Sequence, residues 1–251
     1  MEKKQNTSYL LKLWIPIIIF GGILLYGIVA MIQRGNYIII PAMAIAGIII
    51  WRICSGTTAE FNKLLKSSSP EPLIDFYDKK LGKARIPHKD AHLVFSKALA
   101  YTLYGHFDSA RTEVARIDWE QKPPFFQAQN KYLLALWAYL ENHDFPQGVN
   151  LAKEARRLAN NSKSFPGAKT SLISYEIALE IGELLSENTD SMTVASLESK
   201  IEKSPVLLKV LVAWGLEGFY IQSGQAEQAT KMREILTNFA PFCNGLSSIS
   251  K

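Results

Sequence analysis

The stretch FSKALAYTLYGHFDSA, residues 95–110, combines apolar residues at helical spacing with a single glycine. Ala98 and Tyr101 stand three positions apart before Gly105, and Ala110 follows five positions after it. Spacings of three and four residues place apolar side chains on one face of an amphipathic helix. Glycine accepts the left-handed backbone that a tight reversal requires. The stretch therefore predicts two helices joined by a turn at Gly105.

The same frame returns twice further along the chain. Each copy has an aromatic residue four positions before the turn and Ala or Gly five positions after it. His143 occupies the turn position in the second copy, and Gly224 occupies it in the third. Repetition of one helix–turn–helix unit indicates a repeat architecture. The residues assigned to this frame are Ala98, Tyr101, Gly105, Phe107, Ala110, Tyr139, Phe145, Gly148, Tyr220, Gly224, Ala229 and Pro241.

This frame resembles the tetratricopeptide repeat (TPR), a helix–turn–helix unit of about 34 residues. The resemblance covers residues 88–241 and implies an all-α, TPR-like α-solenoid of antiparallel helix pairs. In that family the tyrosine fills the wedge between the helices, and the small residue lets the second helix approach the first. The turns at Gly105 and His143 stand 38 positions apart, so at least one link between repeats is long. A generic α-solenoid without TPR ancestry remains the alternative.

The resemblance also implies a binding surface. TPR arrays hold a peptide or helix of a partner protein in their concave groove. Some members capture a terminal carboxylate with asparagine and lysine side chains, but the matching positions here carry Ser96, Leu134 and Gly215. The resemblance therefore implies a protein partner held in an apolar or mixed groove.

Two apolar runs precede the repeats. Trp14–Ile32 and Tyr37–Trp51 contain no charged residue, and the polar turn Gln33–Asn36 separates them. A bilayer core of ~30 Å requires roughly 20 apolar helical residues. The first run is therefore long enough to span a membrane. The second run spans only if it includes its flanks, with Arg52 reaching the headgroups.

These patterns predict three parts of the chain. A membrane hairpin occupies residues 1–55, with spans at about 13–32 and 36–54. A juxtamembrane helix and linker follow at 56–87, and the TPR-like helical domain covers 88–251. We therefore expect a protein that works while tethered to a membrane.

The distribution of charge argues against nucleic-acid binding and sets the expected orientation. Residues 1–55 hold five Lys or Arg and one Glu, so +4 of the overall +5 lies there and the rest of the chain carries +1. A nearly neutral helical domain lacks the broad basic surface that phosphate binding requires. Lys and Arg flank both apolar runs, whereas Arg34 alone lies between them. The positive-inside rule then predicts a multi-pass protein of the plasma (bacterial inner) membrane, with both termini and the helical domain cytoplasmic.

Two groups of residues are candidates for contacts at the membrane. Small residues at Ala42, Ala46 and Gly47 would let two spans pack closely, within one chain or between copies in a homo-oligomer. A basic cluster beyond the linker could contact anionic lipid. The alternative for this cluster is a solvated helix face balanced by Asp75 and Asp78. The cluster consists of Lys79, Lys80, Lys83, Arg85 and Lys89.

The sequence offers little that would support catalysis. His88 and His92 share a helix face, as in some zinc sites, but Lys89 stands where a zinc protease has glutamate and a third ligand is not evident. Gly-rich phosphate loops and Gly-x-Ser-x-Gly elbows do not occur. We therefore expect no enzyme, no catalytic residue, no metal and no cofactor. The expected function is a membrane-anchored protein–protein interaction scaffold. The alternative is a small oligomeric membrane component whose hairpin is active and whose helical domain regulates it.

Overall fold

The computed structural model describes most of the chain beyond the apolar runs. It divides the chain into two compact units, Met1–Phe61 and Asn62–Lys251. The residues it describes are 58–84, 86–162, 165, 167–186 and 191–247. The predicted spans, together with Ala42, Ala46 and Gly47, lie outside these residues. Within the part that is described, no helix combines the length and the apolar composition needed to cross a bilayer.

All regular secondary structure in the described residues is helical, which confirms the all-α prediction. Residues 58–64 are helical, and they precede nine further helices and a 3-10 turn. The elements are α1 Glu71–Leu81, α2 Lys89–Leu103, α3 Phe107–Val114, α4 Pro124–Leu140, α5 Phe145–Asn160, α6 Ala168–Leu185, α7 Ser191–Lys203, α8 Val206–Gln222, α9 Ala226–Phe239 and the 3-10 turn Asn244–Leu246.

Successive helices pack as pairs, and the pairs contact one another. Helix α2 packs on α3, α4 on α5, α6 on α7, and α8 on α9. The first helices of the pairs also contact each other in chain order, α2 with α4, α4 with α6 and α6 with α8. Helix α1 lies against α2, and the 3-10 turn returns to contact α2 as well.

Local sequence explains where the helices begin and end. Asp144 caps α5, because its carboxylate accepts a hydrogen bond of 2.9 Å from the Gln147 amide. Helix α2 ends in a Schellman motif, in which the His106 amide donates to the Tyr101 carbonyl at 2.9 Å. Helix α1 begins at Glu71 with Pro70 as its N-cap. Pro72 lies in the first turn, where the fixed φ of proline favours the helix and its missing N–H leaves no donor without a partner.

The core lies along the first helices of the pairs. Every residue of α8 from Val210 to Gly218 is buried. No residue is exposed at 91–103 of α2, at 124–140 of α4 or at 206–220 of α8. The second helices, by contrast, show the alternation of buried and exposed residues that a surface helix requires. Most of α2, α4 and α8 is therefore enclosed, whereas α6 has exposed residues at Lys169, Thr170, Ile173 and Glu176.

Candidate functional site

Three turns carry the left-handed residue of the repeat frame. Gly105 has φ +79° and Gly224 has φ +73°. His143 adopts φ +53° at the corresponding place, although it carries a Cβ. In this conformation the Cβ of an L-residue crowds the following carbonyl oxygen. The frame residue at all three turns therefore has the same backbone shape, which His143 adopts with strain.

The wedge between the second and third helix pairs is filled by the ring of Tyr139. This side chain is 1 % exposed. A Cβ added to Gly148 of α5 would lie 2.8 Å from Tyr139 Cζ, and one added to Gly182 of α6 would lie 2.6 Å from the same atom. Both distances are far below ordinary carbon contact. The two glycines therefore make the space that the tyrosine ring occupies.

Gly182 is a packing residue that the sequence frame does not include. The signal available was a glycine inside the apolar pattern of a helix, which often marks a close approach of another element. The Tyr139 hydroxyl has no hydrogen-bond partner among the described residues. Burial raises the pKa of this hydroxyl well above its ordinary value. It therefore remains protonated and serves packing rather than acid–base chemistry.

The other frame residues divide between core and surface. Ala98, Ala110 and Ala229 are buried at helix contacts. The Tyr220 hydroxyl donates to Glu198 Oε1 at 2.5 Å and so ties α8 to α7. Tyr101, Phe107 and Phe145 are half-buried, and Pro241 is exposed just beyond α9.

The three positions expected to face a groove differ in burial. Ser96 of α2 and Leu134 of α4 are half-buried. Gly215 of α8 is buried, and an added Cβ there would lie 2.7 Å from Ile181 Cγ2. Gly215 is therefore occupied with packing α8 against α6.

A short segment after α9 lies against two of the first helices, α2 and α8. We call residues 240–247 the strap. A Cβ added to Gly245 would lie 2.8 Å from the Leu103 carbonyl oxygen and closer still to that of Thr102. The Trp214 indole donates to the Ser247 carbonyl at 3.1 Å. The strap therefore bridges the last helix pair and the C-terminal end of α2.

Residues 64–67 lie beside the strap and, like the strap, contact the C-terminal end of α2. The Tyr104 hydroxyl of the α2 C-cap donates to the Ser67 carbonyl at 3.0 Å, and the carbonyls of Leu64 and Leu65 lie 3.3 Å away. The Cys243 thiol of the strap is 3.9 Å from the Leu65 carbonyl oxygen. Burial raises the pKa of this thiol to about 12, which keeps it protonated and unreactive.

An ion pair with a buried carboxylate and a cavity lie next to the strap. Glu217 of α8 is 3 % exposed and accepts a hydrogen bond of 2.6 Å from Arg233 Nε of α9. Glu217 Oε2 and Arg233 Nη2 have no partner among the described residues. A cavity of about 130 Å³ separates α9 from the strap. Its lining includes Arg233, Leu236, Thr237, Pro241, Cys243 and Leu246.

The basic cluster lies at the end of α1 and in the loop that follows. Lys79, Lys80 and Lys83 are exposed. Lys89 is half-buried and donates to the Gly82 carbonyl at 3.0 Å, so it caps α1. Arg85 lies outside the described residues. Asp78, one of the two acids expected to balance the cluster, pairs with Lys97 of α2 at 2.8 Å.

His88 and His92 pack on aromatic rings. Both imidazoles contact the ring of Phe126, at 5.1 Å and 4.8 Å between centroids. Burial lowers the pKa of each histidine, and Lys122 adds to this effect at His88. The described residues contain no group of three His, Cys, Asp or Glu side chains placed to hold a metal ion. What the structure shows here is a packing role for both rings.

The comparisons with known proteins add no relative to these observations. No protein-family model, curated protein or solved structure matches this chain.

Proposed function

We propose that this chain is a membrane-anchored, non-catalytic scaffold that binds another protein through TPR-like helix pairs. One observation carries the proposal: the pairs follow one another with their first helices in contact in chain order. In repeat proteins this arrangement produces one continuous binding surface rather than a catalytic cleft. The Tyr139 wedge and the left-handed turns support the TPR-like character of the pairs.

The apolar runs supply the second half of the proposal. Their length and the flanking Lys and Arg residues support a location of the helical domain at the bacterial inner membrane, on its cytoplasmic side. The exposed Lys79, Lys80 and Lys83 add a basic face beyond the anchor, suited to anionic headgroups. The partner is then a membrane protein or a protein recruited to the membrane surface.

The test is site-specific photo-crosslinking of the full chain in native membranes. A photoreactive amino acid replaces Ser96 or Leu134, the half-buried positions on the first helices. The control replaces Arg156, which is exposed on the second helix α5. We expect the same protein to be crosslinked from both first-helix positions and not from the control.

Two outcomes would contradict the scaffold function. Equal crosslinking from Arg156 would show that the contact is not specific to the first helices. Crosslinking only to a second copy of this chain would favour the oligomeric membrane component. In that case Ala46→Leu or Gly47→Leu in the second apolar run should abolish assembly while the helical domain stays folded.

A further inference from the structure

The strap, residues 240–247, has the character of a bound peptide more than of a core element. Its Ala240, Cys243, Gly245 and Leu246 are buried, whereas Pro241, Phe242 and Asn244 are exposed. Phe242 is 46 % exposed. Residues 240–243 contribute no helix, and the 3-10 turn that follows is a single turn. Alternating pockets and exposed side chains are typical of a peptide laid on a surface.

The strap lies at a pocket that is partly open to solvent. This pocket, of about 130 Å³, lies between the strap and α9. Arg233 lines it, and the Nη2 atom of Arg233 is buried without a hydrogen-bond partner among the described residues. Solvent therefore reaches one flank of the strap, and local separation of the strap from the domain can begin there.

The site under the strap recognises two chemical features. The first is a residue without a side chain, because the Thr102 and Leu103 carbonyl oxygens leave no room for a Cβ at Gly245. The second is a main-chain carbonyl two positions later, because the Trp214 indole donates to Ser247. Leu246, between them, is 3 % exposed, so this position favours an apolar side chain. The recognised segment is therefore three residues long: a glycine, an apolar residue, and a third residue of any type that supplies its main-chain carbonyl.

We propose that the strap occupies a peptide-binding surface of the first helices in cis and must leave before a partner can bind there. The partner is a protein segment with the chemistry of the strap itself, a glycine followed by leucine or a similar apolar residue. This inference rests on the proposed scaffold function and adds to it the location of the site, its ligand class and its regulation.

The test uses full-length protein in mild detergent and a fluorescent peptide of residues 238–247, under reducing conditions. In the Gly245→Ala variant the new Cβ meets two backbone oxygens that cannot move away, so the strap leaves its site. We expect this variant to bind the peptide at least tenfold more tightly than the wild type, as measured by fluorescence anisotropy. The matched control is Asn244→Ala, since Asn244 is the exposed neighbour. This variant should bind as weakly as the wild type.

A second variant and a second peptide keep the test decisive. A chain ending at Phe239 lacks the strap and should bind the peptide at least as tightly as Gly245→Ala. A peptide that itself carries Gly245→Ala should not bind either variant.

Retained helicity without peptide binding in both strap variants would overturn the proposal. Loss of helicity in both would overturn it too, because the strap would then be part of the core. Neither result decides the scaffold function, which is tested separately by the crosslinks from Ser96 and Leu134. Those positions do not involve the strap.

Discussion

Replacing Gly182 by alanine tests the packing of the Tyr139 wedge most directly. The added Cβ would lie 2.6 Å from Tyr139 Cζ and 2.7 Å from Val149 Cγ2. Each distance is about 1 Å shorter than an ordinary carbon–carbon contact of ~3.5 Å. The tyrosine is 1 % exposed and Val149 is 8 % exposed, so neither can swing into solvent. Helix α6 must therefore shift away from α4 and α5.

The magnitude follows from two opposing effects. Overpacking a core typically destabilises by ~1–3 kcal/mol, and two close contacts place this site near the upper end. Alanine is a better helix former than glycine by about 1 kcal/mol. The net loss in the free energy of unfolding is then about 2 kcal/mol. For a domain of this size that loss lowers the melting temperature by roughly 4–8 °C.

The assay is thermal unfolding of the full chain followed by far-ultraviolet circular dichroism, arranged as a double-mutant cycle with Tyr139→Phe. The phenylalanine variant alone should be as stable as the wild type or more stable, because the hydroxyl it removes has no partner in the described part of the chain. It also removes the atom nearest to the new Cβ. Gly182→Ala should therefore destabilise the Tyr139→Phe background by about half as much. A rise in stability on Gly182→Ala, as helix propensity alone would give, refutes the wedge.

Three further predictions address strain, pH and charge. His143→Gly should raise the free energy of unfolding by about 1 kcal/mol, because glycine relieves the positive φ; urea unfolding that shows no gain would contradict the strain. Stability should fall as the pH drops below the unfolded histidine pKa of about 6.5 towards the lower folded values of His88 and His92, because the unfolded chain then binds more protons. The dependence of stability on pH should be weaker in His92→Gln. An unchanged dependence would show that His92, packed on Phe126, is not its source. Arg233→Met should lower the free energy of unfolding by about 2 kcal/mol in thermal unfolding, because the Glu217 carboxylate then stays buried without its partner. The loss is smaller than for a fully buried pair, because Arg233 is partly exposed and solvent screens its charge. Restoration by the added Glu217→Gln would support this cause, and equal loss in the double variant would oppose it.

The sequence predicts local features of the structure best. The apolar spacing around Gly105 and Gly224 predicted helices on both sides of each turn, because helix periodicity and turn chemistry depend only on neighbouring residues. The apolar spacing over Leu172–Ser204 likewise indicates a helix pair, and α6 and α7 lie there, although α6 begins earlier, at Ala168. Its irregular connection at 187–190 lies outside the described residues.

Packing between residues that are distant in the sequence was not predicted. The partner of Gly182 is a tyrosine on another helix, and nothing in the neighbouring sequence specifies it. The strap has no helical period, and its decisive contact joins Gly245 to carbonyls at the end of α2. Such contacts depend on how the pairs stack, which the repeat frame alone does not determine.

The proposed cover by the strap and the proposed membrane anchor would have opposite effects on binding, and together they would restrict where the proposed scaffold acts. A site that is open in only a fraction of molecules binds with an affinity reduced by that fraction. A strap that is closed in 99 of 100 molecules therefore weakens a partner about 100-fold. Anchoring both partners at one membrane raises their effective concentration and can restore a factor of that size.

A scaffold with both proposed features would select partners that are held at the same membrane. A segment that resembles the strap and is free in solution competes poorly with a strap that is covalently attached. The same segment on a protein held at the same membrane competes well. Releasing the strap by Gly245→Ala should therefore remove the dependence on co-anchoring, so that a soluble peptide binds as the tethered partner does. If the strap variant still needs a tethered partner, the strap is not what limits access to the first helices.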